Sequence, residues 1–216
     1  MFPVQLYKFG KQDHMERLAY SGDVHLYPAS KFNNGSLPKG AHDPSELIIE
    51  QQLPPEAKFY VIDKATGEKS YLEVLDVSPL KTLPVSDYYT FCMTTVCNLS
   101  MFHEFEADTC VVINDPKKFL LSLMKTIEAR MPGCACWFDY VAYYSKKKFY
   151  SYDFSFREIM FAKELDYAPQ NEFRFVCIPP DPVEKLEPIT VNVGQLLFET
   201  SLCFKGSFSP SPLERP

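Results

Sequence analysis

Tyr167-Ala168-Pro169-Gln170-Asn171-Glu172-Phe173-Arg174-Phe175-Val176-Cys177-Ile178 is the stretch on which the fold turns. From Glu172 to Ile178, charged and apolar residues alternate before an apolar end, which is the period-two pattern of a strand. Pro169 marks the preceding segment as a loop that delivers Gln170 and Glu172 to the mouth of that strand. Residues two apart share one face of an extended chain, so both side chains can address one ligand. The plainer alternative is an exposed strand start in which Glu172 pairs with Arg174, a contact worth little at a surface.

Working outward, other segments read as strands: Val4 to Phe9, Val24 to Tyr27, Asp87 to Thr94 as a buried central strand, Thr109 to Ile113, and Ile189 to Val193. Lys58 to Asp63 and Ser70 to Leu75 form a hairpin around Ala65-Thr66-Gly67. Cys134 to Tyr144 is an aromatic strand, with Lys146-Lys147-Lys148 as its turn. Helices are fewer. Asn114-Asp115-Pro116 opens the one strong helix, Lys117 to Arg130, whose stripe is Phe119, Leu120, Leu123, Met124 and Ile127. A short helix runs from Asp13 and stops at Gly22, and Ser155 to Leu165 is assigned as helical. Asp43-Pro44-Ser45-Glu46 reads as a capping box, with Asp43 as cap. Strands outnumber helices and do not alternate strictly with them, so the expected class is α+β. One domain over residues 1–206 and a loose tail over 207–216 are expected.

The 216 residues are 46% apolar and 23% charged, a globular composition, with a net charge of −6 that argues against a broad grip on nucleic acid. Lys146-Lys147-Lys148, flanked by tyrosines and Phe149, is the local patch that would track a strand of nucleic acid; a solvated hairpin tip is the plainer reading. No apolar run approaches the roughly 20 residues that cross a bilayer, and the N-terminus lacks the order of a signal peptide. A cytoplasmic protein without a membrane partner is expected. With only 8 glycines there is no phosphate loop, and no G-x-S-x-G elbow occurs. The 7 cysteines lack the paired spacing of a zinc site, so buried reduced thiols with raised pKa values and no metal are expected.

Several short motifs, in order, resemble an uncharacterised bacterial and phage family. Leu6-Tyr7-Lys8-Phe9 matches its L-Y-K-Y/F strand, and Val24 to Asn33 looks like the stretch in which it reaches an L-x-x-S-x-x-x-F-N-D segment. Tyr89 to Thr94 stands where that family has a strand ending in a C-F-S-like triplet. Met101-Phe102-His103-Glu104-Phe105 parallels M-W-x-x-Y, and Lys163 with Tyr167-x-x-Gln170-x-Glu172-x-Arg174 parallels K…W-x-x-E-x-E-x-R. That family looks like a divergent branch of the ADP-ribosyltransferase fold, which implies a split antiparallel β-sheet core with flanking short helices.

The resemblance implies an NAD-dependent ADP-ribosyltransferase of toxin, effector or phage-defence type. Glu172 and Gln170 would be the catalytic residues: Glu172 beside the cationic ribose, Gln170 orienting the acceptor. Lys8 would meet the pyrophosphate, standing where Arg is usual, and Thr94 would hold the ribose or brace Glu172, standing where Ser is usual. Tyr7, Phe102 and Phe105 would wall the nicotinamide pocket or pack in the core. NAD is the substrate and no metal is required. The acceptor is a macromolecule, protein more readily than nucleic acid, and an antitoxin or immunity protein is the partner such toxins have. Two alternatives share the fold: an NAD glycohydrolase, and a non-catalytic binding module. On this reading Glu172→Gln leaves folding intact and removes the rate.

Overall fold

A computed structural model describes residues 2–33, 37–38, 40–44, 46, 50–51, 59–62, 66–72, 81–82, 86–145, 156–181, 185–195 and 200–207. The strands are β1 (Leu6–Gly10), β2 (Asp23–Pro28), β3 (Glu50–Gln51), β4 (Phe59–Ile62), β5 (Lys69–Leu72), β6 (Lys81–Thr82), β7 (Tyr89–Thr94) and β8 (Thr109–Ile113). They continue as β9 (Ala135–Tyr140), β10 (Ala142–Tyr144), β11 (Ala162–Glu164), β12 (Glu172–Ile178), β13 (Ile189–Asn192) and β14 (Thr200–Phe204). Helices are α1 (Gln12–Glu16), α2 (Leu99–Glu104), α3 (Pro116–Arg130) and α4 (Phe156–Met160). The class is α+β, built on a mostly antiparallel sheet with a few short helices.

β7 organises that sheet. One of its edges pairs with β12 along its whole length, from Tyr89 opposite Cys177 to Thr94 opposite Glu172. Two strands share the other edge. Tyr27 and Pro28 of β2 lie opposite Thr90 and Tyr89, while Tyr7 of β1 lies opposite Thr94. β1 then leads outward to β8 and β14, and β2 to β13. The two arms part over the middle of β7, where the ammonium of Lys8 donates to the Cys92 carbonyl at 2.7 Å. A backbone acceptor without its ladder partner is costly when buried, and Lys8 supplies the donor.

The largest core lies on one face of this sheet. Asp115 caps α3, accepting from Lys118 N at 3.0 Å, and Pro116 occupies the first turn, where its missing N–H costs nothing. Phe119, Leu120, Leu123 and Ile127 of α3 are buried against Leu6, Leu26, Phe91, Ile113, Phe173 and Phe175. The opposite face of β12 is buried too, with Val176 packed among Ala29, Tyr88, Met160 and Phe161. The alternation of charge along β12 therefore does not mark a solvent face. Arg174 is 1% exposed.

Three further readings change. Helix within 155–165 stops at Met160; Ala162–Glu164 becomes a strand parallel to β10, and a 3₁₀ turn follows over Leu165–Gln170. Strand pairing overrides local propensity there. A strand not assigned from the sequence, β14, adds to β8 from Thr200 opposite Ile113 to Phe204 opposite Thr109. The Glu46 carboxylate of the proposed capping box turns inward to Arg174 and Tyr88. The hairpin is present as β4 and β5, with Phe59 opposite Leu72. Lys146-Lys147-Lys148 and residues 208–216 of the tail lie outside the described residues.

Gly22 ends the helical turn after α1 at φ +76°, and a Cβ there would stand 1.9 Å from the Gly194 carbonyl oxygen. Gly22→Ala thus combines left-handed strain with a backbone clash, together about 2–4 kcal/mol. Gly194 has φ +84° but nothing within 4 Å of its added Cβ, so Gly194→Ala carries the strain alone, about 1–2 kcal/mol. Thermal denaturation should show the larger fall in Tm for Gly22→Ala; equal falls would remove the close approach from the account.

Candidate functional site

Beside the parting of β1 and β2 lies a cleft of about 410 Å³. Lys8 of β1, Cys92 and Thr94 of β7, and Glu172 and Arg174 of β12 all line it, with Lys163, Gln170, Asp43 and Glu46. Residues far apart in the chain meet because Tyr7, Thr94 and Glu172 stand in one row of the ladder across β1, β7 and β12. Four cationic side chains (Lys8, Lys31, Lys163, Arg174) face three carboxylates around this space. The protein as a whole has net charge −6, so the cleft is more positive than its surroundings.

A buried chain of charges forms its floor. The two carboxylate oxygens of Glu172 accept from Arg174 Nε at 2.7 Å and Lys163 Nζ at 3.1 Å. Arg174 grips Glu46 with both terminal nitrogens, at 2.8 and 3.2 Å, and also donates to the Met160 carbonyl. The Tyr88 hydroxyl donates to Glu46, and Lys163 Nζ lies 4.0 Å from Asp43. Burial alone would raise the Glu172 carboxyl. Arg174 and Lys163 outweigh it and hold the group well below the usual carboxylate range. Burial prevails at Glu46, whose pKa is raised despite Arg174. Glu172 is consequently a permanent anion near neutral pH.

The Glu172–Arg174 pair is thus real, but buried and cleft-lining. The chain is not extended between residues 170 and 172: Gln170 ends the 3₁₀ turn and Asn171 is left-handed, with φ 43° and ψ 51°. Asn tolerates that region better than most residues. Both side chains still converge, because Lys163 Nζ donates to Gln170 Oε1 at 3.0 Å as well as to Glu172. Gln170 Nε2 donates to the Gly40 carbonyl at 3.0 Å and to Glu104 at 2.8 Å. Thr94 Oγ1 donates to the Gln170 carbonyl at 2.5 Å and accepts from Val96 N at 3.1 Å, bracing the turn that carries Glu172.

Lys8 is half-buried, its ammonium 4.6 Å above the Phe91 ring; burial lowers its pKa, and Glu172 partly offsets the fall. Tyr7 lines the cleft and donates to Gln5 at 2.8 Å. Phe105 also lines it, stacked 6.0 Å from Phe9. Phe102 does not: it is fully buried, edge-on to Phe9 at 4.8 Å. Burial, then Glu172, push the Cys92 thiol up to about 11, so it is neutral near pH 7. The expectation of raised thiols fails at Cys136, which its hydrogen bond with Cys177 pulls down. Sequence reading passed over Glu46 and Asp43 as site residues, since nothing local marks a capping segment as the counter-charge to a strand distant in the chain.

No family model, curated protein or solved structure matches this chain. A carboxylate has about four acceptor positions and an ammonium three donors. Arg174 and Lys163 engage one position on each Glu172 oxygen, and the Cys92 carbonyl engages one Lys8 donor. Acceptor positions on Glu172 and donors on Lys8 are therefore left for a polar ligand in the cleft.

The charge network changes what Glu172→Gln does. An amide facing the Lys163 ammonium leaves two buried cations short of an anion, and breaking a buried pair costs about 3–5 kcal/mol. Urea unfolding at pH 7 should show that loss for Glu172→Gln, and a similar one for Arg174→Met. Glu172 has a depressed folded pKa, so its contribution is complete above the unfolded value near ~4.3 and is lost as pH falls below it. The gap between wild type and Glu172→Gln should therefore close on acidification. A gap independent of pH would contradict the network.

Proposed function

We propose that the cleft binds NAD and that the protein is an ADP-ribosyltransferase of toxin, effector or phage-defence type, acting on a macromolecular acceptor, in the first instance a protein. The observation that carries this reading is the convergence of Lys8, Thr94 and Glu172 on one cleft at the parting of β1 and β2. A cation, a hydroxyl and a carboxylate from three adjacent strands are the elements the sequence resemblance requires.

The chemistry follows from their charges. The C1′–N bond of the nicotinamide riboside breaks, its electron pair leaves with neutral nicotinamide, and positive charge develops on the ribose. Glu172, held ionised, stabilises that charge and accepts from a ribose hydroxyl. A nucleophile on the acceptor bonds to C1′ and releases its proton to solvent. Lys8 supplies charge to the pyrophosphate but, unlike Arg, not a bidentate fork. Thr94 acts through the Gln170 carbonyl as a positioning residue. Tyr7 and Phe105 wall the cleft.

The double pairing of Glu172 and the three hydrogen bonds of the Gln170 amide favour a second reading, a binding module without catalysis. A neutralised carboxylate stabilises a cation less than an unpaired one. Incubation with adenylate-labelled NAD and cell lysate separates the readings. Label on macromolecules with nicotinamide release supports transfer; free ADP-ribose alone makes water the acceptor; neither product from folded protein selects the binding module.

Lys8 adds a pH signature. Its lowered pKa means that NAD affinity should fall on the alkaline side sooner than an ordinary lysine would impose. Lys8→Arg, which stays charged, should remove that limb from the KM profile. An unchanged limb would take Lys8 out of the binding site.

A further inference from the structure

Three of the seven cysteines gather away from the cleft. Cys134 immediately precedes β9, Cys136 is its second residue, and Cys177 of β12 lies directly opposite Cys136. Their sulfur atoms all lie within 4.8 Å of one another, and Cys134 and Cys136 are 3.8 Å apart. Two thiolates bound at 2.3 Å to one tetrahedral ion stand about 3.8 Å apart. Glu128, near the C-terminal end of α3, brings Oε2 to 3.6 Å from Cys134 Sγ. A sulfur and a carboxylate oxygen on the same zinc stand about 3.6 Å apart. The other Glu128 oxygen accepts from Gly133 N at 3.1 Å, the kind of outer contact that orients a ligating carboxylate.

From this geometry we infer that Cys134, Cys136 and Cys177 form a zinc site, with Glu128, which lies beside Cys134 but outside the three-sulfur cluster, turning in as the fourth ligand. The four donors come from α3, the turn after it, β9 and β12. Sequence spacing did not disclose the site because Cys134 joins Cys136 from the turn before β9 and the third ligand arrives by cross-strand register. Zinc binding releases the thiol protons to solvent and changes no oxidation state. Cys177 lies five residues beyond Glu172, about 16 Å along β12 at ~3.3 Å per residue, so the ion fastens the strand at the end remote from the cleft. It is a structural clamp and takes no part in NAD chemistry.

The full chain, purified under reducing conditions without chelator, should carry one zinc per molecule by elemental analysis. Exchange for Co²⁺ should give thiolate-to-cobalt charge-transfer absorption, and Zn²⁺ should raise the Tm of metal-free protein by linkage. Cys134→Ser, at a half-buried position, should weaken zinc about 100-fold or more, and Glu128→Gln about 10-fold, with the fold verified by circular dichroism. Cys203→Ser, outside the cluster, should bind zinc as the wild type does. Absence of stoichiometric zinc, unchanged affinity in Cys134→Ser, or a Cys136–Cys177 disulfide in the reduced preparation would each overturn the site. None of these readouts depends on NAD cleavage.

Discussion

A carboxylate sealed between a guanidinium and an ammonium is the contact on which the site depends. Glu172 retains 5% of its surface, and Arg174 and Lys163 are as deeply buried. Each charge has left water at a cost of several kcal/mol, returned only if every partner is in place. The consequence is structural. Glu46 and Asp43 must come in from the segment after β2, Lys163 from β11, and Arg174 from β12. A network of this kind does not require that the pairs add net stability. It makes alternative packings expensive, because each would strand a buried charge.

The second constraint is the divided edge of β7. A continuous sheet would close the space between β1 and β2 and leave no cleft. Divergence opens that space, and the Cys92 carbonyl there takes its hydrogen bond from Lys8. Lys8 is therefore both a fold element and a ligand candidate. Arginine at that position would carry a larger, planar head, and the compact ammonium suits a place between a carbonyl and the Phe91 ring. The three-cysteine cluster sits at the other end of β12, so one strand carries cleft residues at one end and thiols at the other.

Several strand positions along the chain were legible because β7 and β8 are strongly apolar and the period-two pattern of β12 survives without tertiary context. α3 was legible for the matching reason, an apolar stripe with Asp115 and Pro116 at its start. The convergence of Gln170 and Glu172 was anticipated, yet the left-handed Asn171 achieves it through a turn. Hidden from sequence were the long-range pairings. Arg174 reads as a solvent-facing strand residue until Glu46, 128 positions away, is seen beside it. The thiol cluster was hidden by the same property of sheets: register across β9 and β12 leaves no trace in linear spacing.

On the proposed reading this cleft accommodates NAD through the Lys8 cation and the Glu172 anion. The most direct test is the melting temperature of the wild-type protein titrated with NAD. Ligand at about 100 times Kd stabilises the native state by about 2.7 kcal/mol, which for a chain of this size corresponds to a rise of roughly 5–11 °C. NAD binding in the cleft should give that rise, and a folded Lys8→Ala variant should lose it. A melting temperature indifferent to NAD, or one that rises equally without Lys8, would contradict it.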